Sequence, residues 1–124
     1  MQVSTAVADA LGRYLDLTAD QMKLTAGNMA NIDTPGYKTQ GFDFEQAFGA
    51  ALNEPTHRDG TAMNGAQSFA GDVDGLVARP DGNTVSLDRE SMQLAKSQLQ
   101  FRTGVALLKS EFSRVMSAIH ADAK

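Results

Sequence analysis

His57-Arg58-Asp59 and the carboxylates Asp72, Asp74 and Asp81 are the residues whose types would suit catalysis or cation binding. The first run repeats the opening letters of a protein-kinase catalytic loop. That loop works only with a Gly-rich phosphate cover, a strand lysine and a second metal ligand. The chain has none of these, so the run reads as a solvated loop. The three aspartates lack the spacing and the terminal glutamate of an EF-hand. His57 and His120 lie far apart with no third ligand between them, and zero cysteines exclude a thiolate site or a disulfide framework. Gly-x-Ser-x-Gly, Walker and dinucleotide signatures are absent. The sequence therefore predicts no catalytic residue, no cofactor, no metal site and no enzyme.

Two other constellations have defined spacing and a different chemistry. Asn28 and Asn31 precede Thr34-Pro35-Gly36-Tyr37 at the end of a helical pattern. There an Asn side chain can satisfy orphan backbone groups or make lateral contacts. Phe44 and Phe48, at i and i+4, would stand together on one helical turn. Such a pair suits a two-knob anchor for a partner groove, or simply closes the local core.

Three segments must position these groups. Over residues 1–32, Val3, Val7, Ala10, Tyr14, Leu17 and Leu24 recur at helical spacing, with Leu11, Leu15, Met22 and Met29 alongside, which predicts an amphipathic helix. Gly12 and Gly27 weaken it by roughly 1 kcal/mol each. Thr34-Pro35 ends it, because proline disfavours the α conformation in the residue before it, and Gly36 suits a turn needing positive φ. Residues 33–85 hold all three prolines, eight of the eleven glycines, and eight acidic against three basic residues. Arg79-Pro80-Asp81-Gly82-Asn83 is strong turn chemistry. This segment reads as a long irregular stretch, mobile in the free chain, with one short strand or hairpin at most.

Over residues 86–124, Leu87, Ser91, Leu94, Gln98, Phe101, Val105, Leu108, Phe112, Val115 and Ile119 alternate by four and three. That is a coiled-coil seam of nearly five heptads with two polar members. Ser86 is the expected N-cap, with Asp88 and Glu90 in the first turn where negative charge is favoured. The predicted fold is all-α: the N- and C-terminal helices pair as a coiled-coil-like core. Met92, Ala95, Leu99, Ala106 and Met116 widen the apolar face beyond what one partner helix covers, so the stripe from Leu87 to Ile119 is expected to serve assembly.

Bulk properties narrow the function classes. A chain of 124 residues is one domain at most, too small for a large core with an internal cleft. A net charge of −4 disfavours a nucleic-acid surface. The absence of Trp argues against an aromatic ligand pocket, hence against a small-molecule substrate. No apolar run approaches the ~18–20 residues that span a bilayer. Met1-Gln2-Val3-Ser4-Thr5-Ala6 lacks the basic and apolar regions of a cleaved secretory signal.

Asn28-Met29-Ala30-Asn31-Ile32-Asp33-Thr34-Pro35-Gly36-Tyr37-Lys38 resembles the Asn-x-Ala-Asn-x-x-Thr-Pro-Gly-Tyr signature of the bacterial flagellar rod and hook family. Gly41-Phe42-Asp43-Phe44-Glu45 and the run Val85 to Phe101 are most like the subunit at the proximal end of the rod. The Arg-x-Tyr-x-x-Asn type helix of other rod and hook proteins is missing there. The resemblance implies a structural subunit whose terminal helices form a coiled-coil core packed helically around a central export channel. It implies a basal-body location, reached through the flagellar type III export apparatus without a cleaved signal. The implied partners are other rod subunits, the membrane-ring protein, the rod–ring junction protein and the export gate. Phe44-Glu45-Gln46-Ala47-Phe48 matches the Phe-x-x-x-Phe element by which early export substrates are recognised at that gate. The alternative is a soluble coiled-coil adaptor or secretion-chaperone-like module, for which the run from Asn28 to Tyr37 would be coincidence.

Overall fold

Helix α1, Ala6–Ala30, begins where Thr5 takes an extended conformation and its hydroxyl accepts the Ala8 amide at 3.0 Å. This is an N-cap, and Asp9 adds a carboxylate in the first turn. The computed structural model describes residues 5–53 and 69–122; the His57-Arg58-Asp59 run lies outside them. After α1 come β1 (Gln40–Gly41), α2 (Phe44–Asn53), β2 (Gly71–Asp72) and α3 (Leu87–Asp122). The strands pair antiparallel, Gln40 with Asp72 and Gly41 with Gly71. None of the described helices is long and apolar enough to cross a membrane.

The architecture is a helix pair with a short third helix laid on α1. The pair is antiparallel, as three contacts along its length show. Thr5 donates to Glu111 Oε1 at 2.8 Å, Gly104 lies under Tyr14 and Leu15, and Asn28 reaches Glu90 at 3.0 Å. At 36 residues, α3 is roughly 54 Å long and outruns α1. Residues 112–122 therefore have no described helix opposite them.

Helix α2 lies within the Gly- and Pro-rich middle. The Asp43 carbonyl accepts the Ala47 amide at 3.0 Å and its carboxylate accepts the Gln46 amide at 3.2 Å, a side-chain cap that starts the helix. Ala47 and Leu17 are buried together, with Phe42, Phe44, Phe48, Ala51 and Phe69 packed around them. Tyr14 packs in T-shaped geometry against Phe44 and Phe48, with centroids at 5.3 and 5.6 Å. Glu45, Gln46, three alanines and Leu52 are good helix formers, and the aromatic packing holds the helix on α1.

The helix pair uses a different line of contact from the apolar stripe. On α3 the residues buried against α1 are Glu90, Ser97 and Gly104, and seven further on Glu111 bonds Thr5. This line is offset by one residue from Ser91, Gln98, Val105 and Phe112. On α1, Thr18, Thr25 and Asn28 are the buried polar residues, and Asn28 bonds Glu90 directly. A Cβ on Gly104 would stand 2.7 Å from Leu15 Cδ2 and 3.2 Å from Tyr14 Cδ1. Close approach of small residues, not knobs of Leu and Phe, sets the rotation of α3. Leu94, Val105, Leu108 and Val115 are consequently part-buried at the edge, while Leu87, Phe101, Phe112 and Ile119 stay substantially exposed.

Candidate functional site: the polar knot at the loop end

At the end of α1 the Asn28 side chain is buried and uses all of its hydrogen-bonding capacity. Its Nδ2 donates to the Gln40 carbonyl at 2.8 Å and to Glu90 Oε2 at 3.0 Å. Its Oδ1 accepts the Gln40 amide at 2.9 Å and the Tyr37 hydroxyl at 3.2 Å. The Gln40 backbone fixes the amide orientation, because its N–H can only donate and its carbonyl can only accept. Asn28 thus imitates a strand neighbour for Gln40 while tying the loop to α3. Glu90, also buried, receives its second support from Arg89 Nη1, 2.6 Å from Oε1. A buried carboxylate needs both partners, since stripping one leaves an uncompensated charge.

Asn31 does the capping. Its N–H bonds the Gly27 and Asn28 carbonyls at 3.2 and 3.1 Å, and its Nδ2 donates to the Gly27 carbonyl at 2.8 Å. Thr34 Oγ1 donates to Asn31 Oδ1 at 3.1 Å. Thr34-Pro35-Gly36-Tyr37 is then a β-turn, closed by the Tyr37 amide on the Thr34 carbonyl at 3.2 Å with Gly36 at φ 74°. Positive φ at the third position is what a type II turn requires.

A second loop locks this turn. Asn83, buried, directs its Nδ2 at the carbonyls of Asn31 (2.9 Å), Ile32 (3.1 Å) and Thr34 (2.8 Å), while its Oδ1 accepts the Val85 amide at 2.8 Å. Arg79 also donates to the Ile32 carbonyl. Gly36 N–H bonds the Asp81 carbonyl at 2.8 Å, and a Cβ on Gly82 would stand 3.4 Å from Gly36 Cα, so the two turns cross glycine on glycine. Thr39 and Thr84 share hydroxyls at 3.0 Å, and the Thr84 amide bonds the Tyr37 carbonyl at 3.1 Å. Ser86 caps α3, accepting the Arg89 amide at 3.4 Å.

The motif therefore divides. Asn28, Asn31 and Tyr37 turn inward and bind this chain to itself, whereas Thr34, Pro35 and Gly36 lie exposed at the tip. Phe44 and Phe48 are held apart from the knot, on Tyr14 and Leu17. Asp72 accepts from Gln40 Nε2 at 2.6 Å and Asp81 accepts the Asn83 amide at 3.0 Å. Local rules read Glu90 as a first-turn anion and Asn83 as a turn residue, and miss the tertiary role of both. They also pass over Gly104, although a lone glycine in a long helix signals close packing.

This constellation holds backbone: its hydrogen bonds tie both loops to the ends of α1 and α3. No family model matches the chain. Curated relatives do. It is 32% identical to the flagellar basal body rod protein FlgB of Salmonella typhimurium strain LT2, over 85% of this chain and 86% of that protein. It is 32% identical to FlgB of Cereibacter sphaeroides, over 95% and 99% of the two chains. With FlgB of Aeromonas hydrophila it shares 28% identity over 98% and 99%. The chain belongs to the flagellar basal body rod protein FlgB family. The knot joins the two terminal helices through the loop that carries Asn31 and Pro35-Gly36-Tyr37. Membership also favours the rod subunit over the coiled-coil adaptor.

Proposed function

We propose that this chain is a structural subunit of the proximal rod of the flagellar basal body, linking the membrane ring and export gate to the more distal rod around the export channel. One observation carries the reading. The loop motif of a rod-protein relative is spent on joining α1 to α3, while the apolar stripe of α3 is left substantially uncovered at Leu87, Phe101, Phe112 and Ile119. A monomer that pairs the polar groups of its loop end and leaves an apolar helix stripe open is built to be completed by neighbours. Other rod subunits, the membrane-ring protein and the rod–ring junction protein are the neighbours proposed, with the stripe from Leu87 to Ile119 as the assembly seam.

The same reading assigns Phe44 and Phe48 to export-gate recognition. In the folded chain both rings pack against Tyr14, so they would meet the gate before the helices close. Phe44→Ala with Phe48→Ala is expected to abolish secretion, and Leu17→Ala, which loosens the same core but keeps both rings, is expected to leave secretion intact. Equal losses in both would reduce the pair to core packing. For the rod assignment itself, the test is mass spectrometry of detergent-extracted basal bodies. The chain should remain with the membrane ring after hook and distal rod are stripped, and recovery from cytosol alone would overturn the assignment.

A further inference from the structure

The two ends of the molecule carry opposite chemistry. At the loop end, residues 31–43 and 69–86 hold five carboxylates against two cations. Among them stands Val77, 90% exposed, in a loop pinned by the Val73 amide on the Thr39 carbonyl at 2.9 Å and the Arg79 amide on the Asn83 carbonyl at 2.9 Å. Asp72 and Asp74 are exposed beside it. Residues 102–119 of α3 hold three cations against one carboxylate, and that carboxylate, Glu111, is already engaged by Thr5. Arg102, Lys109, Phe112, Met116 and Ile119 share one face by helical spacing, and all five are exposed.

We propose that this basic, apolar face of α3 binds the acidic loop end of a second copy of the chain, with Val77 seated among Phe112, Met116 and Ile119 and Asp72 and Asp74 facing Arg102 and Lys109. The proposal rests on the rod-subunit reading and adds to it which surfaces meet. Charge complementarity selects the occupant, because an acidic rim around an apolar knob matches a basic rim around an apolar stripe. Reach excludes the same molecule: Glu90, at the loop end, and Met116 are 26 residues apart on one helix, roughly 39 Å. The knob is pre-organised by hydrogen bonds, which lowers the ordering entropy lost on docking. The contact is head-to-tail, using two different patches, so it propagates instead of closing as a two-fold dimer.

The chain has no cysteine, so single thiols report contacts cleanly. Purified full-length Val77→Cys and Met116→Cys variants, each at an exposed site, are checked for unchanged helicity, mixed, and oxidised mildly. A disulfide needs Cα atoms within about 7 Å. The mixed pair should cross-link at least ~10-fold more than either variant alone, and the double variant should give an oligomer ladder. Lys109→Glu in the Met116→Cys chain should reduce the yield, and Asp74→Lys in its partner should restore it, as expected of a complementary pair. A mixed yield no greater than that of Met116→Cys alone overturns the proposal, as does indifference to both charge reversals. Retention of the chain in basal bodies is read separately, so the rod assignment can stand while this contact fails.

Discussion

The loop end and the far end of α3 solve opposite problems with the same helix. Around Asn28, Asn83 and Glu90 nearly everything buried is polar, and the amide and carboxylate atoms of these three side chains have partners within the chain. Beyond Glu111, Phe112, Met116 and Ile119 are about half exposed. A satisfied polar network specifies one geometry, since any rearrangement leaves a desolvated group without a partner. An apolar stripe is indifferent to which apolar surface covers it. The molecule therefore fixes the geometry of its loop end with hydrogen bonds and leaves an apolar stripe of α3 uncovered.

Breaking the knot should have the largest effect. Asn28→Asp keeps the size of the side chain, but removes both N–H donors and sets a carboxylate against Glu90. We expect a loss of roughly 3–5 kcal/mol in urea unfolding of the full chain, the range for leaving a buried charge uncompensated. Asn83→Ala takes the shared donor from three carbonyls and the acceptor from the Val85 amide, with an expected loss of about 2–3 kcal/mol. Gly104→Val forces a side chain into Tyr14 and Leu15, which should cost about 1–3 kcal/mol as overpacking. Gly27→Ala sharpens the contrast from the other direction. Its Cβ would meet nothing within 4 Å, so the variant should gain about 0.5–1 kcal/mol from helix propensity alone. Phe112→Asp should change monomer stability by no more than about 0.5 kcal/mol, yet abolish incorporation into basal bodies, read by immunoblot of the purified structures.

Much of this was legible in the residues. The 3–4 spacing over α1 and α3, the Ser86 cap and the turn at Pro35-Gly36 all follow from local rules, and the structure places them as those rules require. The Asn-x-x-Asn and Pro-Gly-Tyr spacing also marked the right loop. What the spacing could not show was the direction of each side chain. Asn28 is a tertiary bridge because Gln40 and Glu90 arrive from 12 and 62 residues away. Hydrophobic periodicity also points to the apolar stripe and overlooks Ser97 and Gly104, whose contribution is to be small. The Phe44/Phe48 spacing marks one helical turn, but the Gly and Pro content of residues 33–85 hides the full length of α2, although the Asp43 cap and the spacing of Ala47 and Ala51 are helical. Residues that act through absent bulk or through distant partners leave little trace in a one-dimensional pattern.

Residue-resolved amide hydrogen exchange on the isolated full-length chain tests the central contrast most directly. Amides of Thr39, Gln40, Thr84 and residues 90–108 should exchange slowly, near the global unfolding limit, while those of 112–122 exchange far faster. Fast exchange at Gln40 would contradict the knot as the element that holds the monomer, and uniform protection along the whole of α3 would contradict an apolar end left open.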